Sequence, residues 1–276
     1  MKLRKALRST PGHIVLMVLA VLQLFPIALV FINSFKTSFQ VAENPLALPH
    51  QLDFSNYTTA WDYGHFATGF VNSLLLVGTT VVVVLICASL AGYVLAGKKI
   101  RAWPLVTMYF LAAVTIPIWL FLFPLYFEYS KLHLLNNPVA VGFIVAAVNL
   151  PLAVFLMRAF FLKVPAALEE AAVVDGAGVG SLLWRVMLPI VSPGLLTVAV
   201  LVGLFAWNEY LITTTFLQTP SSYTATLGYL TMNGTFTDQQ GIMMAGAVIL
   251  ILPVLVIFIA VQRLFIEGFV SGAVKG

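Results

Sequence analysis

Six apolar runs divide the sequence, at positions 13–35, 69–97, 104–127, 138–161, 194–216 and 242–264. Each is long enough to cross about 30 Å of hydrocarbon at ~1.5 Å of helical rise per residue. The pattern predicts an all-α membrane protein with six transmembrane helices. Between the runs, 36–68 alternates aromatic and polar residues, 128–137 is a short turn, and 217–241 is rich in Thr and Ser. One connection differs in kind. Residues 168–193, LEEAAVVDGAGVGSLLWRVMLPIVSP, are polar and charged where almost everything around them suits lipid.

The local chemistry of that connection predicts its shape. Pro165 suits the first turn of a helix, residues 166–174 are good helix formers, and Gly176 suits the left-handed residue that ends one. Glu169 and Glu170 fall in the N-terminal half, favoured by the helix dipole, while Leu168, Ala171, Ala172 and Asp175 recur at spacings of three and four. A second short helix is expected at 179–187, before Pro189 and Pro193 return the chain to the bilayer. The plain alternative is an amphipathic helix lying on lipid. Its Ala-rich face anchors poorly, however, and its acids are repelled by an anionic leaflet. A short knob with a small apolar face and an acidic end fits a protein groove better.

Composition supports the membrane reading: 61% of residues are hydrophobic and 9% charged, against about 25% charged in an average soluble domain. Lys2, Arg4, Lys5 and Arg8 before the first run resemble the start of a signal peptide. The apolar core is too long for one and no small-x-small cleavage site follows, so a retained helix is expected. The expected organisation is residues 1–68 as N-terminal tail, first helix and outer loop, and residues 69–276 as a five-helix core that includes the loop 163–193. Cys87 is the single cysteine, which excludes an intrachain disulfide.

The net charge of +4 reads as topology. With a cytoplasmic N-terminus, that side collects Lys2, Arg4, Lys5, Arg8, Lys98, Lys99, Arg101, Arg158, Lys163, Arg185, Arg263 and Lys275, leaving Lys36 and Lys131 outside. This asymmetry places both termini, and the 168–193 loop, in the cytoplasm. The basic residues form no stripe, so nucleic acid is not an expected partner. In the second run Ala88, Gly92 and Ala96 form a small-residue stripe that admits another helix closely, within this subunit or from another.

EAAVVDGA followed by LLWRVMLPIVSPG resembles the EAA loop of binding-protein-dependent ABC importer permeases, in the form of the carbohydrate branch, the maltose-permease type. The likeness extends to INSFK at 32–36, VNSL at 71–74, LP at 150–151 with LMRAFF after it, WNEYL at 207–211 and SGAVKG at the end. Val186 and Trp184 stand where that family usually has Ile and Phe. The resemblance implies a coupling helix between helices 4 and 5 that docks in a cleft of a partner ATPase. It implies coupling contacts at Glu170, Ala171, Ala172, Asp175, Gly176 and Ala177, with Glu169 beside them. It also implies a second, similar permease, two ATPase chains that carry ATP and Mg, an external solute-binding protein, and a bacterial or archaeal cytoplasmic membrane. No cofactor is expected on this chain itself, and no catalytic residue.

For the solute, Glu209 is the one acid inside a predicted span and stands beside Trp207 and Asn208. An intramembrane acid is a functional candidate, and aromatic faces with planar hydrogen-bonding groups suit sugars. The same residues also serve plain helix packing. Asn72, Asn149 and Gln23 are further candidates, more suited to bonds between helices. In the resembled maltose type, the companion permease holds most of the sugar.

Other classes fit less well. GYVLAGKK at 92–99 approaches a phosphate loop but has Lys99 where the magnesium-binding hydroxyl belongs, at the end of a membrane helix. Asn44-Pro45 and Asn137-Pro138 fall in or beside outer loops, unlike the mid-membrane pairs of water channels. His13, His50, His65 and His133 have no metal-ligand spacing, and one membrane acid cannot form a catalytic pair. An ion-coupled secondary transporter with Glu209 as proton site is the alternative, though it leaves the 168–193 loop without a role.

Overall fold

The computed structural model describes residues 2–97, 100–236 and 238–273, with side chains for 12–97, 100–236 and 238–262. Lys98, Lys99 and Lys275, and the side chains of Lys2, Arg4, Lys5, Arg8 and Arg263, lie outside the described residues. Regular structure among the described residues is helical throughout. In order come α1 Lys2–Asn33, α2 Ser38–Glu43, α3 Ser55–Tyr63, α4 Phe66–Ala96, α5 Trp103–Thr115, α6 Trp119–Lys131, α7 Pro138–Phe161 and α8 Ala166–Val174. Then follow α9 Val179–Ser181, a π-helical turn Leu182–Met187, α10 Leu188–Ile190, α11 Ser192–Trp207, α12 Leu211–Phe216, a 3-10 turn Pro220–Ser222, α13 Ala225–Met232 and α14 Gln240–Ala273.

Among the described residues, four stretches are long and apolar enough to cross a membrane alone: Gly12–Asn33, Phe66–Ala96, Pro138–Phe161 and Gln240–Gln262. The number rises to six when each of two bent helix pairs is taken as one span. The third predicted span, 104–127, is thus not one straight helix: α5 and α6 meet at 93°. Pro117 explains the break. Its ring disfavours α conformation at the residue before it, and Ile116 is extended, with φ −82° and ψ 119°, whereas Pro124, Pro151 and Pro253 are carried inside helices. The fifth predicted span, 194–216, is also interrupted, because α11 ends at Trp207 and α12 restarts at Leu211. Ahead of it, the segment Val179–Ile190 meets α11 at 76°. The fourth span matches its predicted limits, since Pro138 sits at the start of α7 and Asn137 Oδ1 accepts from the Val139 and Ala140 N–H groups.

The chain divides into two compact units, Met1–Phe66 with Gly228–Pro253, and Ala67–Leu227 with Val254–Gly276. In the first, the apolar stretch of α1 is left uncovered by the rest of the chain. Beyond its end the backbone is tied in a knot. The Asn56 amide donates to Ser34 O and Lys36 O, both at 2.9 Å, Ser34 Oγ lies 2.6 Å from Tyr57 OH, and Asp53 N–H donates to Phe35 O. Lys36 is 1% exposed, and its ammonium donates to Asn44 O at 3.1 Å and Pro45 O at 3.4 Å. Burial lowers this ammonium below the ordinary lysine range.

In the second unit α7 is the central helix, with half of its most apolar window buried. One core cluster joins α4, α7, the Val179–Ile190 segment and α11 through Val84, Ala88, Val154, Met157, Leu183 and Val198. A second, around Leu76, Val145, Phe216 and Leu227, joins α4, α7, α12 and α13's first turn. The small-residue stripe has an occupant within this chain. A Cβ on Gly92 would stand 2.9 Å from Arg158 N and Met157 Cβ, so α4 and α7 cross where only glycine fits.

Candidate functional site

The charged connection folds as its chemistry predicts. Helix α8 runs Ala166–Val174, starting one residue after Pro165. Its end is a Schellman turn: Gly176 N–H donates to Val173 O at 3.0 Å and Ala177 N–H to Ala172 O at 2.9 Å, with Gly176 at φ +85°. That left-handed turn reverses the chain directly into the following segment.

The coupling candidates fall on two sides of α8. Glu170, Ala171, Asp175 and Gly176 are exposed, and Val174 beside them is 86% exposed. Ala172 and Ala177 are half-buried and pack against the core cluster that contains Tyr93 and Phe161. Glu169 is half-buried as well, and its Oε1 accepts from Tyr93 OH at 3.1 Å. The outer side is therefore a short ridge of small and apolar residues carrying two free acids. The segment that follows buries Leu182, Leu183, Met187 and Leu188 in the same core and leaves Trp184 and Arg185 outward. It contains a π-helical turn, Leu182–Met187, where a continuous α-helix was expected. Such turns widen the helix by one residue and are frequent at functional sites.

The solute candidates separate by how their polar atoms are spent. Asn72 uses both amide hydrogens, at 2.9 Å each, on Ser221 O and Tyr223 O, so it pins the 219–224 turn to α4. Trp207 is 7% exposed, stacks on Phe70 with centroids 6.0 Å apart, and has an indole N–H without a hydrogen-bond partner among the described residues. Asn208 is exposed, and its amide donates back to Leu204 O at 2.8 Å. Glu209 stands in the break between α11 and α12, where its two carboxylate oxygens accept from Ile212 N–H at 2.9 Å and Thr213 N–H at 2.8 Å. It caps α12. Gln23 is exposed on α1.

Glu209 and Asn149 come together at a cavity of about 830 Å³ bounded by α5, α6, α7 and α11. Its walls are mostly apolar, with Tyr109, Tyr129, Phe143 and Phe205 among them. The Asn149 amide donates to Val145 O at 2.8 Å, which leaves its oxygen for another partner. A carboxylate has about four acceptor positions, so Glu209 retains capacity beyond its two capping bonds. Aromatic surface with one carboxylate and one amide is chemistry suited to a polyhydroxylated ligand. Among the described residues no three His, Cys, Asp or Glu side chains converge as metal ligands.

Two residues that matter escaped the sequence reading. Tyr93 sits inside an apolar run, and its partner lies far along the chain. Asn136 holds the α6–α7 turn to the loop after α12, with its Oδ1 accepting from Gln218 N–H at 2.6 Å, Thr219 N–H at 3.1 Å and Ser222 Oγ at 3.2 Å. Its φ of +60° is one that Asn tolerates better than most residues, and the Asn-Asn-Pro sequence there was the available signal.

A family model described as the binding-protein-dependent transport system inner membrane component matches residues 85–268. The chain is 31% identical over 258 residues to the probable starch degradation products transport system permease protein AmyC of Thermoanaerobacterium thermosulfurigenes, covering 94% of each. It is 31% identical over 262 residues to the arabinooligosaccharides transport system permease protein AraQ of Halalkalibacterium halodurans, covering 94% of this chain and 93% of that one. Among solved structures, a chain of a bacterial ABC transporter involved in the import of the acidic polysaccharide alginate superposes with a TM-score of 0.76 and 24% identity. That match covers 94% of this chain and 97% of the other, and establishes a shared fold.

Proposed function

Because this chain belongs to the family of binding-protein-dependent transport system inner membrane components, we propose that it is the membrane-spanning subunit of an ATP-driven sugar importer. Relatives named for starch products and arabinooligosaccharides support a sugar or oligosaccharide as the cargo. The observation that carries the proposal is α8: a short helix presenting Glu170, Ala171, Asp175 and exposed Val174, closed sharply by Gly176. In this reading α8 is the coupling helix of the 163–193 loop and docks on a partner ATPase, which carries the ATP and Mg.

The rest of the assembly follows from the same reading. The chain crosses the cytoplasmic membrane of a bacterium or archaeon six times, with α5 and α6 together as the third span, α11 in the fifth, and both termini in the cytoplasm. Residues 69–276 form the permease core, and 1–68 the peripheral tail, first helix and outer loop. The partners are a second, similar permease, two ATPase chains and an extracytoplasmic solute-binding protein. Transport proceeds by alternating access. Two ATPase states that grip α8 differently bias two states of the membrane helices. The cavity shared by Asn149 and Glu209 is the surface on this chain best equipped to meet a sugar.

Reconstitution tests this directly. Uptake into vesicles holding both permeases and the ATPase should require ATP and the loaded binding protein, and should stop when the ATPase is omitted. Uptake that persists without the ATPase and follows a proton gradient would establish ion-coupled transport through Glu209 instead.

A further inference from the structure

Glu169 and Glu170 are neighbours in sequence and do different things in space. Successive helical residues point about 100° apart, so adjacent acids on a short helix can face different surroundings. Glu170 is exposed, whereas Glu169 turns inward to the Tyr93 hydroxyl at 3.1 Å. Tyr93 is 4% exposed, near the end of α4, and its ring meets that of Phe161, the last residue of α7, edge-on at 5.5 Å. The anchor beneath Tyr93 is closely packed. One residue earlier, Gly92 lets α4 touch α7 so closely that an added Cβ would strike Met157 and Arg158, and Arg158 Nε donates to Leu95 O at 3.4 Å.

We infer that Tyr93 and Glu169 form a tether that fixes the position of α8 against the joined ends of α4 and α7. Displacement of α8 is thereby passed to the membrane helices instead of being absorbed in the loop. Ala172 and Ala177, packed on the same cluster, supply the contact surface, and the phenol-to-carboxylate bond supplies the direction. Tyr93 is a positioning residue, and Glu169 belongs to the permease side of α8. The inference rests on α8 being the docking helix.

The test compares the assembled importer carrying Tyr93→Phe, Glu169→Ala, Glu169→Gln and, as a control, Glu170→Lys. The readouts are ATPase association and sugar molecules imported per ATP hydrolysed. Tyr93→Phe and Glu169→Ala should each keep the ATPase bound while lowering that ratio about five- to tenfold, on the scale of one hydrogen bond. The double variant should be no worse than either single one. Glu169→Gln keeps an acceptor for the hydroxyl and should remain within about twofold of wild type. Glu170→Lys should release the ATPase. If it does so while Tyr93→Phe leaves the transport ratio intact, or merely reduces the amount of assembled complex, the tether is overturned. If Glu170→Lys leaves the ATPase bound, the docking assignment itself fails.

Discussion

Asn149 and Glu209 line one cavity, although Asn149 belongs to α7 and Glu209 stands in the break between α11 and α12. Each already has a structural commitment, to Val145 O in one case and to the Ile212 and Thr213 N–H groups in the other. Each also keeps hydrogen-bonding capacity. This combination separates the cap from the sugar contact. Glu209→Gln preserves an acceptor for α12 and should raise the KM for sugar several-fold while uptake still depends on ATP. Glu209→Ala should in addition cost about 1 kcal/mol of stability through the lost cap. Uptake kinetics and thermal unfolding of the purified variants check both, and an unchanged KM in Glu209→Gln and Asn149→Ala would remove the cavity from the sugar path.

Asn72 predicts the opposite pattern. Both of its amide hydrogens are used on Ser221 O and Tyr223 O, so Asn72→Ala should destabilise the protein by about 1–2 kcal/mol. Solute preference should be unchanged. A competition assay across a panel of sugars, beside a thermal melt, distinguishes this from a direct contact.

Gly176 is constrained by its backbone and not by space, since nothing lies within 4 Å of where a Cβ would be. Gly176→Ala at φ +85° should cost about 1–2 kcal/mol locally, loosening the end of α8 and weakening ATPase association. Gly176→Asn should retain more association than Gly176→Ala, because Asn tolerates left-handed geometry. Equal binding by both variants in a pull-down would show that the turn is not needed for docking.

Lys36 gives a pH dependence of definite sign. Burial lowers its folded-state ammonium below the ordinary lysine value of 10.5, so between those two values the unfolded chain binds more protons than the folded one. Wild-type stability from this group therefore increases as pH rises through that window and is lowest below it. Lys36→Met has no such titration. The difference in Tm, wild type minus Lys36→Met, should become more positive from pH 7 to above 10.5, and a flat difference would contradict the burial argument.

The sequence by itself determined the apolar spans, the helix Ala166–Val174 and its end at Gly176. These depend on local physics: hydrophobic length against bilayer thickness, helix propensity, and the left-handed turn that glycine permits. Pro117 also carried a local signal, because a proline disfavours helix at the residue before it, and the break between α5 and α6 falls there; that Pro124, Pro151 and Pro253 stay inside helices was not legible in the same signal. Only the tertiary structure decided how polar side chains are spent. That Glu169 meets Tyr93, that Asn72 holds the 219–224 turn, and that Asn149 and Glu209 share a cavity depend on partners far away in the chain. Helical periodicity fixes which face of a helix a residue occupies, but not what stands opposite that face. In an apolar chain, where each buried polar atom needs a partner, that opposite surface determines whether the residue supports the fold or remains available to a ligand.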